Sequence, residues 1–143
     1  MAIKNVFKDT SALKEKIKNL SVDDVQAMQT AIEADEVLLV DLREIQELID
    51  LGKIPGAKHV ARGMLEFWAD PSSPYYREYF QEEKPIVVFC AGGGRSVYAT
   101  LALEDMGFKD VAHLEVGFNG WKKAGGKVED VASTSKWMRK PTE

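Results

Sequence analysis

Two short runs restrict the folds open to this chain. Val37-Leu38-Leu39-Val40 and Ile86-Val87-Val88-Phe89 are apolar at every position. A strand with one wet face alternates in polarity, whereas one that is apolar throughout must be covered on both faces, as in a parallel sheet. Lys58–Val60 and Val111–Leu114 read as two further short strands. Helical spacing fills the intervals. Leu13, Ile17 and Leu20 predict an amphipathic helix over 11–20. Ser21 and Asp24 resemble a capping box that opens a helix with Val22, Val25, Met28 and Ile32 on one face, ending near Ala34. Ile45, Leu48 and Ile49 form a stripe closed by Gly52. Val97, Leu101 and Tyr98, Ala102, Met106 form the rows of a helix that starts near Ser96 and ends at Gly107; Gly117–Ala124 forms another, stopped by Gly125-Gly126. Residues 63–84 hold Trp68, Tyr75, Tyr76, Tyr79 and Phe80 with Pro71 and Pro74 between them, and read as an irregular insertion. Strands alternating with helices predict an α/β architecture: a largely parallel sheet flanked by helices in three layers.

At 143 residues the chain is expected to form one domain over 20–130, preceded by a helical extension over 1–19 and followed by a polar tail over 131–143 that keeps Trp137. The net charge of −4 argues against nucleic acid and anionic membrane as partners. The longest apolar run, Ile86–Ala91, is far below the roughly 18 residues of a membrane span. The first 19 residues hold no apolar segment of the secretory kind, so a cytoplasmic location is expected. One cysteine rules out an internal disulfide, and with two histidines it makes a metal centre an unpromising reading. No cofactor is expected.

The chemistry concentrates where the second apolar run ends, in Cys90-Ala91-Gly92-Gly93-Gly94-Arg95-Ser96. In an open α/β sheet, ligands bind at the carboxyl ends of the strands. Glycines permit positive φ and let successive N–H groups turn inward. The helix start adds free N–H groups and Arg95 adds a full charge. Such a cup favours a thiolate or a small bound anion at Cys90. Asp41 and Arg43 close the first apolar run and are expected at the same edge, with Glu47 as a partner for Arg43. His59 and His113 read as hydrogen-bonded core or surface residues. Arg62, Trp68, Tyr75 and Tyr76 are candidates for a pocket wall, against ordinary solvation or packing of the insertion.

Four segments are together similar to the rhodanese family of sulfurtransferases. Cys90-x-x-Gly93-x-Arg95-Ser96 resembles the family's active-site loop, Asp41-x-Arg43…Glu47 its first signature, Gly52-x-Ile54-Pro55-Gly56-Ala57-x-His59 the segment that follows, and Gly117-x-x-Gly120-Trp121…Ala124-Gly125 its closing motif. Lys53 and Val116 stand where histidine and glycine are common, and the loop lacks the further basic residues of members that use thiosulfate well. The resemblance covers about residues 20–130. It implies that Cys90 is catalytic, that residues 91–96 bind the substrate, and that Asp41 and Arg43 support the loop. It also implies a reaction: sulfane sulfur passes from a small anionic donor (thiosulfate, polysulfide or similar) through a Cys90 persulfide to an external thiol, cyanide or protein acceptor. Alternatives are a persulfide carrier that delivers sulfur without turnover and, more remotely, a cysteine-dependent phosphatase or arsenate reductase. Those enzymes separate Cys and Arg by five residues, whereas four stand between Cys90 and Arg95.

Overall fold

The computed structural model describes residues 2–131, so of the tail expected over 131–143 all but Val131, Trp137 included, lies outside the described residues. Within the described residues five strands form one sheet: β1 (Lys18–Leu20), β2 (Leu38–Asp41), β3 (Lys58–His59), β4 (Ile86–Phe89) and β5 (Val111–Leu114). Their order is β1-β5-β4-β2-β3 and every pairing is parallel. Among the described residues seven α-helices flank it: α1 (Val6–Leu13), α2 (Val22–Ala27), α3 (Gln29–Glu33), α4 (Ile45–Leu51), α5 (Leu65–Ala69), α6 (Gly94–Met106) and α7 (Gly117–Lys123).

The two apolar runs became the central strands. They pair in register from Leu38 opposite Ile86 to Asp41 opposite Phe89, so the chain leaves both at the same edge. From β2 the chain moves outward to β3, and from β4 it moves outward the other way to β5. The crevice of such a sheet lies where the connections diverge. Alternation along the strands divides the core. Leu38, Val40, Val88 and Cys90 pack with Leu65 of α5 and Leu103 of α6, whereas Leu39, Val87 and Phe89 pack with Ile32, Phe118 and Trp121. Full burial of one such side chain stabilises the fold by about 1.5–3 kcal/mol.

The amino-terminal expectation needs correction. The helix lies over Val6–Leu13, a 3₁₀ turn follows over Lys14–Lys16, and Lys18–Leu20 is the edge strand beside Ala112–Leu114. Asn5 starts the helix early, because its side chain accepts from the N–H groups of Phe7 and Lys8 at 3.1 Å. Pairing with β5 then overrides the helical spacing of Ile17 and Leu20. The Ser21–Asp24 capping box is present as expected, but the helix it opens breaks at Met28 into α2 and α3. The helix after the glycines starts at Gly94, two residues before Ser96.

Gly117 opens α7 with φ at 64°, and its α-carbon is pressed against the loop after β4. A Cβ there would sit 2.7 Å from the Cys90 carbonyl oxygen and would also strike that of Ala91. Gly117→Ala is therefore expected to destabilise the chain by about 1–3 kcal/mol, combining strained backbone with a clash. A urea midpoint equal to that of the wild type would contradict this account.

Candidate active site

Cys90 follows β4 directly and is 1% exposed. The Gly93 N–H donates to its Sγ at 3.1 Å. Gly93 has φ at 105°, and a Cβ on it would collide with the Glu115 carbonyl oxygen, so this position admits glycine alone. Gly92 and Gly94 have neither positive φ nor a crowding neighbour. Their contribution is open space: both line the cavity that leads to Cys90. The inward turn expected of three glycines is thus made by one of them. The first turn of α7 holds the loop from behind. The Phe118 N–H donates to the Cys90 carbonyl at 2.8 Å and the Asn119 N–H to that of Ala91 at 3.0 Å.

A polar chain runs from the sulfur into the core. Cys90 Sγ lies 3.7 Å from Ser96 Oγ, which lies 2.8 Å from His113 Nδ1; His113 Nε2 lies 2.6 Å from Asn19 Oδ1. The Asn19 amide nitrogen donates to the carbonyls of Lys14 and Ile17, which turns its oxygen toward the imidazole. His113 therefore carries its proton on Nε2 and accepts at Nδ1, and the Ser96 hydroxyl donates to it. That leaves the Ser96 oxygen facing the sulfur as an acceptor for the Cys90 S–H. Burial, with Lys14 adding to it, pushes the His113 pKa down to about 4. Sequence reading left His113 in the core or at the surface and missed this chain, which joins residues 94 apart. The available signal was a histidine inside an apolar strand, because a buried polar group needs partners.

Arg95 differs from expectation in its partner. Its guanidinium meets both carboxylate oxygens of Glu47 at 2.9 Å. Glu47 is thus taken by Arg95 and not by Arg43. It stands in the first turn of α4, where its carboxylate also accepts from the Glu44 N–H at 2.7 Å, and α4 leaves β2 beside the start of α6. The Arg95 hydrogen bonds hold the Glu47 carboxyl below the usual range, and Glu47 raises the Arg95 pKa in return.

Arg43 is fully buried. It donates from Nε and Nη2 to Asp41 at 3.0 and 2.8 Å, and from Nη2 to the Gly52 carbonyl at 2.8 Å. Its guanidinium lies 3.9 Å from the centre of the Phe118 ring. His59 donates from Nε2 to the Arg43 carbonyl at 2.6 Å. Neither Asp41 nor Arg43 hydrogen-bonds the loop; they reach it through Phe118, whose N–H holds the Cys90 carbonyl.

The aromatic insertion does not wall the cavity at Cys90. Arg62 pairs with Glu66 at 2.7 Å, Trp68 lies under the Arg77 guanidinium, and Tyr76 donates to the Phe80 carbonyl. The wall comes from the amino-terminal segment instead, with Val6, Phe7, Thr10 and Lys14 facing the loop and Tyr98. Tyr98 fixes that wall by donating to Asp9 at 2.7 Å; this bond, together with Lys4 at 3.1 Å, lowers the Asp9 pKa.

His113 carries a stability prediction. Its folded pKa of about 4 lies below the unfolded value of about 6.5, so the unfolded chain binds the extra proton between them. Its contribution is complete above pH 6.5 and is lost as pH falls toward 4, by on the order of 3 kcal/mol. Urea midpoints measured across that window should fall more steeply for the wild type than for His113→Gln. Parallel curves would refute the assignment.

Both the sequence and the fold have known relatives. The rhodanese-like domain model matches residues 21–124. The sulfurtransferase candidate YtwF of Bacillus subtilis is 35% identical over 97 residues, which cover 67% of this chain and 84% of that protein. The thiosulfate sulfurtransferase GlpE of Vibrio cholerae is 29% identical over 74% of this chain and 92% of its own. Among solved structures, a Rhodopseudomonas palustris protein of unknown function, described as a possible tyrosine phosphatase, superposes with a TM-score of 0.82 at 42% identity, covering 90% of this chain and 97% of that one. The polysulfide-sulfur transferase of Wolinella succinogenes superposes with a TM-score of 0.68 at 30% identity, over 86% of this chain and 85% of that one. With its parallel sheet, its cysteine loop after β4 and this match over most of its length, the chain belongs to the rhodanese-like domain family.

Proposed function

We propose that this chain is a sulfurtransferase in which Cys90 takes up sulfane sulfur as a persulfide and passes it to an external acceptor. The observation that carries the reading is the Cys90 loop itself. A single thiol sits at the diverging edge of the sheet, with a backbone N–H on its sulfur and a cavity leading to it. In the first step the Cys90 thiolate attacks the outer sulfur of a donor. The donor's bond to that sulfur breaks, its electron pair leaves with the donor fragment, and Cys90–S–S⁻ remains. In the second step a thiol or cyanide attacks the outer sulfur and the electron pair returns to Sγ. The chain has one cysteine, so the acceptor comes from outside it.

The phosphatase reading has one observation in its favour, the description of the Rhodopseudomonas relative. Two features of this chain oppose it. Four residues between Cys90 and Arg95 leave a smaller cup than five. Arg95 also spends its two-point hydrogen-bonding face on Glu47, the face a phosphate would need.

Intact-protein mass spectrometry after incubation with thiosulfate, polysulfide and 3-mercaptopyruvate should show a gain of one sulfur atom. Cys90→Ser should abolish that gain and cyanide-dependent turnover while retaining the fold. Sulfur loading of the purified Cys90→Ser protein would end the proposal. Persulfide that forms but turns over slowly with cyanide or small thiols would identify a carrier. In the same series, aryl phosphate hydrolysis should be negligible, and Cys90-dependent hydrolysis faster than sulfur transfer would establish the phosphatase reading instead.

A further inference from the structure

One wall of the Cys90 cavity lies outside the family domain. The family match begins at residue 21, yet the cavity is closed by Val6, Phe7 and Thr10 of α1 and by Lys14. The space is about 480 Å³, within the range of sites for small organic molecules. Phe7 is 78% exposed, a large apolar side chain held at the cavity mouth and not in the core. The helix that carries it is fixed by the Asn5 cap, by the buried Thr10 and by the bond from Tyr98 to Asp9. Charge in the cavity is sparse. Arg95 shares its charge between both oxygens of Glu47 and Cys90, and Lys14 pairs with Glu115 at 3.9 Å. Two cations, each already paired with a carboxylate, and the start of α6 suit a single negative charge on the ligand.

From this wall and this charge balance we infer that the site selects a monoanionic sulfur donor bearing an apolar organic substituent. The class is an organic persulfide or thiosulfonate, seated with its substituent against Val6 and Phe7, in preference to a compact inorganic dianion. The inference rests on the sulfur-transfer reading above. For a thiosulfonate the step balances as R–SO₂–S⁻ plus Cys90–S⁻ giving R–SO₂⁻ plus Cys90–S–S⁻. The bond from sulfonyl sulfur to outer sulfur breaks, its electron pair leaves with the sulfinate, and the new bond joins the outer sulfur to Sγ.

Methanethiosulfonate and benzenethiosulfonate share charge and leaving-group class and differ in apolar bulk; thiosulfate supplies the dianion. Rates of Cys90 persulfide formation would be measured with the full chain for all three, each divided by the rate of the same donor with a small free thiol. After that correction benzenethiosulfonate should exceed both methanethiosulfonate and thiosulfate by about tenfold or more. Val6→Ala/Phe7→Ala, checked for wild-type circular dichroism, should reduce the benzene-to-methane ratio to about twofold. Equal corrected rates for the wild type, or a ratio that the double variant leaves in place, would overturn the inference and leave the proposed function standing. Absence of Cys90 persulfide with every donor would overturn both.

Discussion

The buried guanidinium of Arg43 is the interaction on which the remaining architecture depends. An unpaired charge in a core costs several kcal/mol, so the elements around it must supply its partners. Asp41 does so from the end of β2 and the Gly52 carbonyl from the end of α4. The Phe118 ring of α7 covers its face, and Nη1 has no hydrogen-bond partner among the described residues. His59 at the end of β3 holds the backbone carbonyl of the same residue. One side chain thereby sets where a strand ends, where a helix stops and where α7 begins. Since α7 grips the carbonyls of Cys90 and Ala91, the position of the sulfur is inherited from this cluster.

The surroundings of Cys90 are close to electrically balanced. Arg95 is matched by Glu47, and His113 is neutral with its proton on the side away from Ser96. Besides Arg95, whose charge Glu47 offsets, the groups that act on a charged sulfur are the Gly93 N–H and the start of α6. Backbone donors of this kind are fixed by the fold and need no reorganisation when charge develops. They also impose a spacing that side chains would not, and this explains why residue 93 must be glycine.

The central strands, the loop at Cys90 and the ends of most helices were legible in the sequence because each rests on local information: continuous apolar runs, glycine stops and a capping box. The amino-terminal segment was not. Leu13, Ile17 and Leu20 satisfy helical spacing, yet β5 claims residues 18–20 for the sheet, a decision made by residues more than 90 positions away. The Arg95–Glu47 pair failed to show for the same reason. Residues 43 and 47 are neighbours along the chain, but the start of α4 faces the start of α6 only after β2 and β4 have paired. Aromatic content pointed to the insertion as the pocket wall. Those side chains were needed to cover the α5 side of the sheet, and the cavity was left to α1.

The depth of Cys90 has a consequence for the oxidation chemistry of this chain. A disulfide requires two Cβ atoms within about 4 Å of each other. With the sulfur 1% exposed at the base of a cavity roofed by α1, two copies of the chain cannot bring their Cys90 residues that close. Peroxide and small thiols can enter, so oxidative stress should cap the sulfur reversibly, as sulfenic acid or mixed disulfide, without cross-linking the protein. A macromolecular reaction partner meets the same barrier and must present its sulfur on a slender, extended segment.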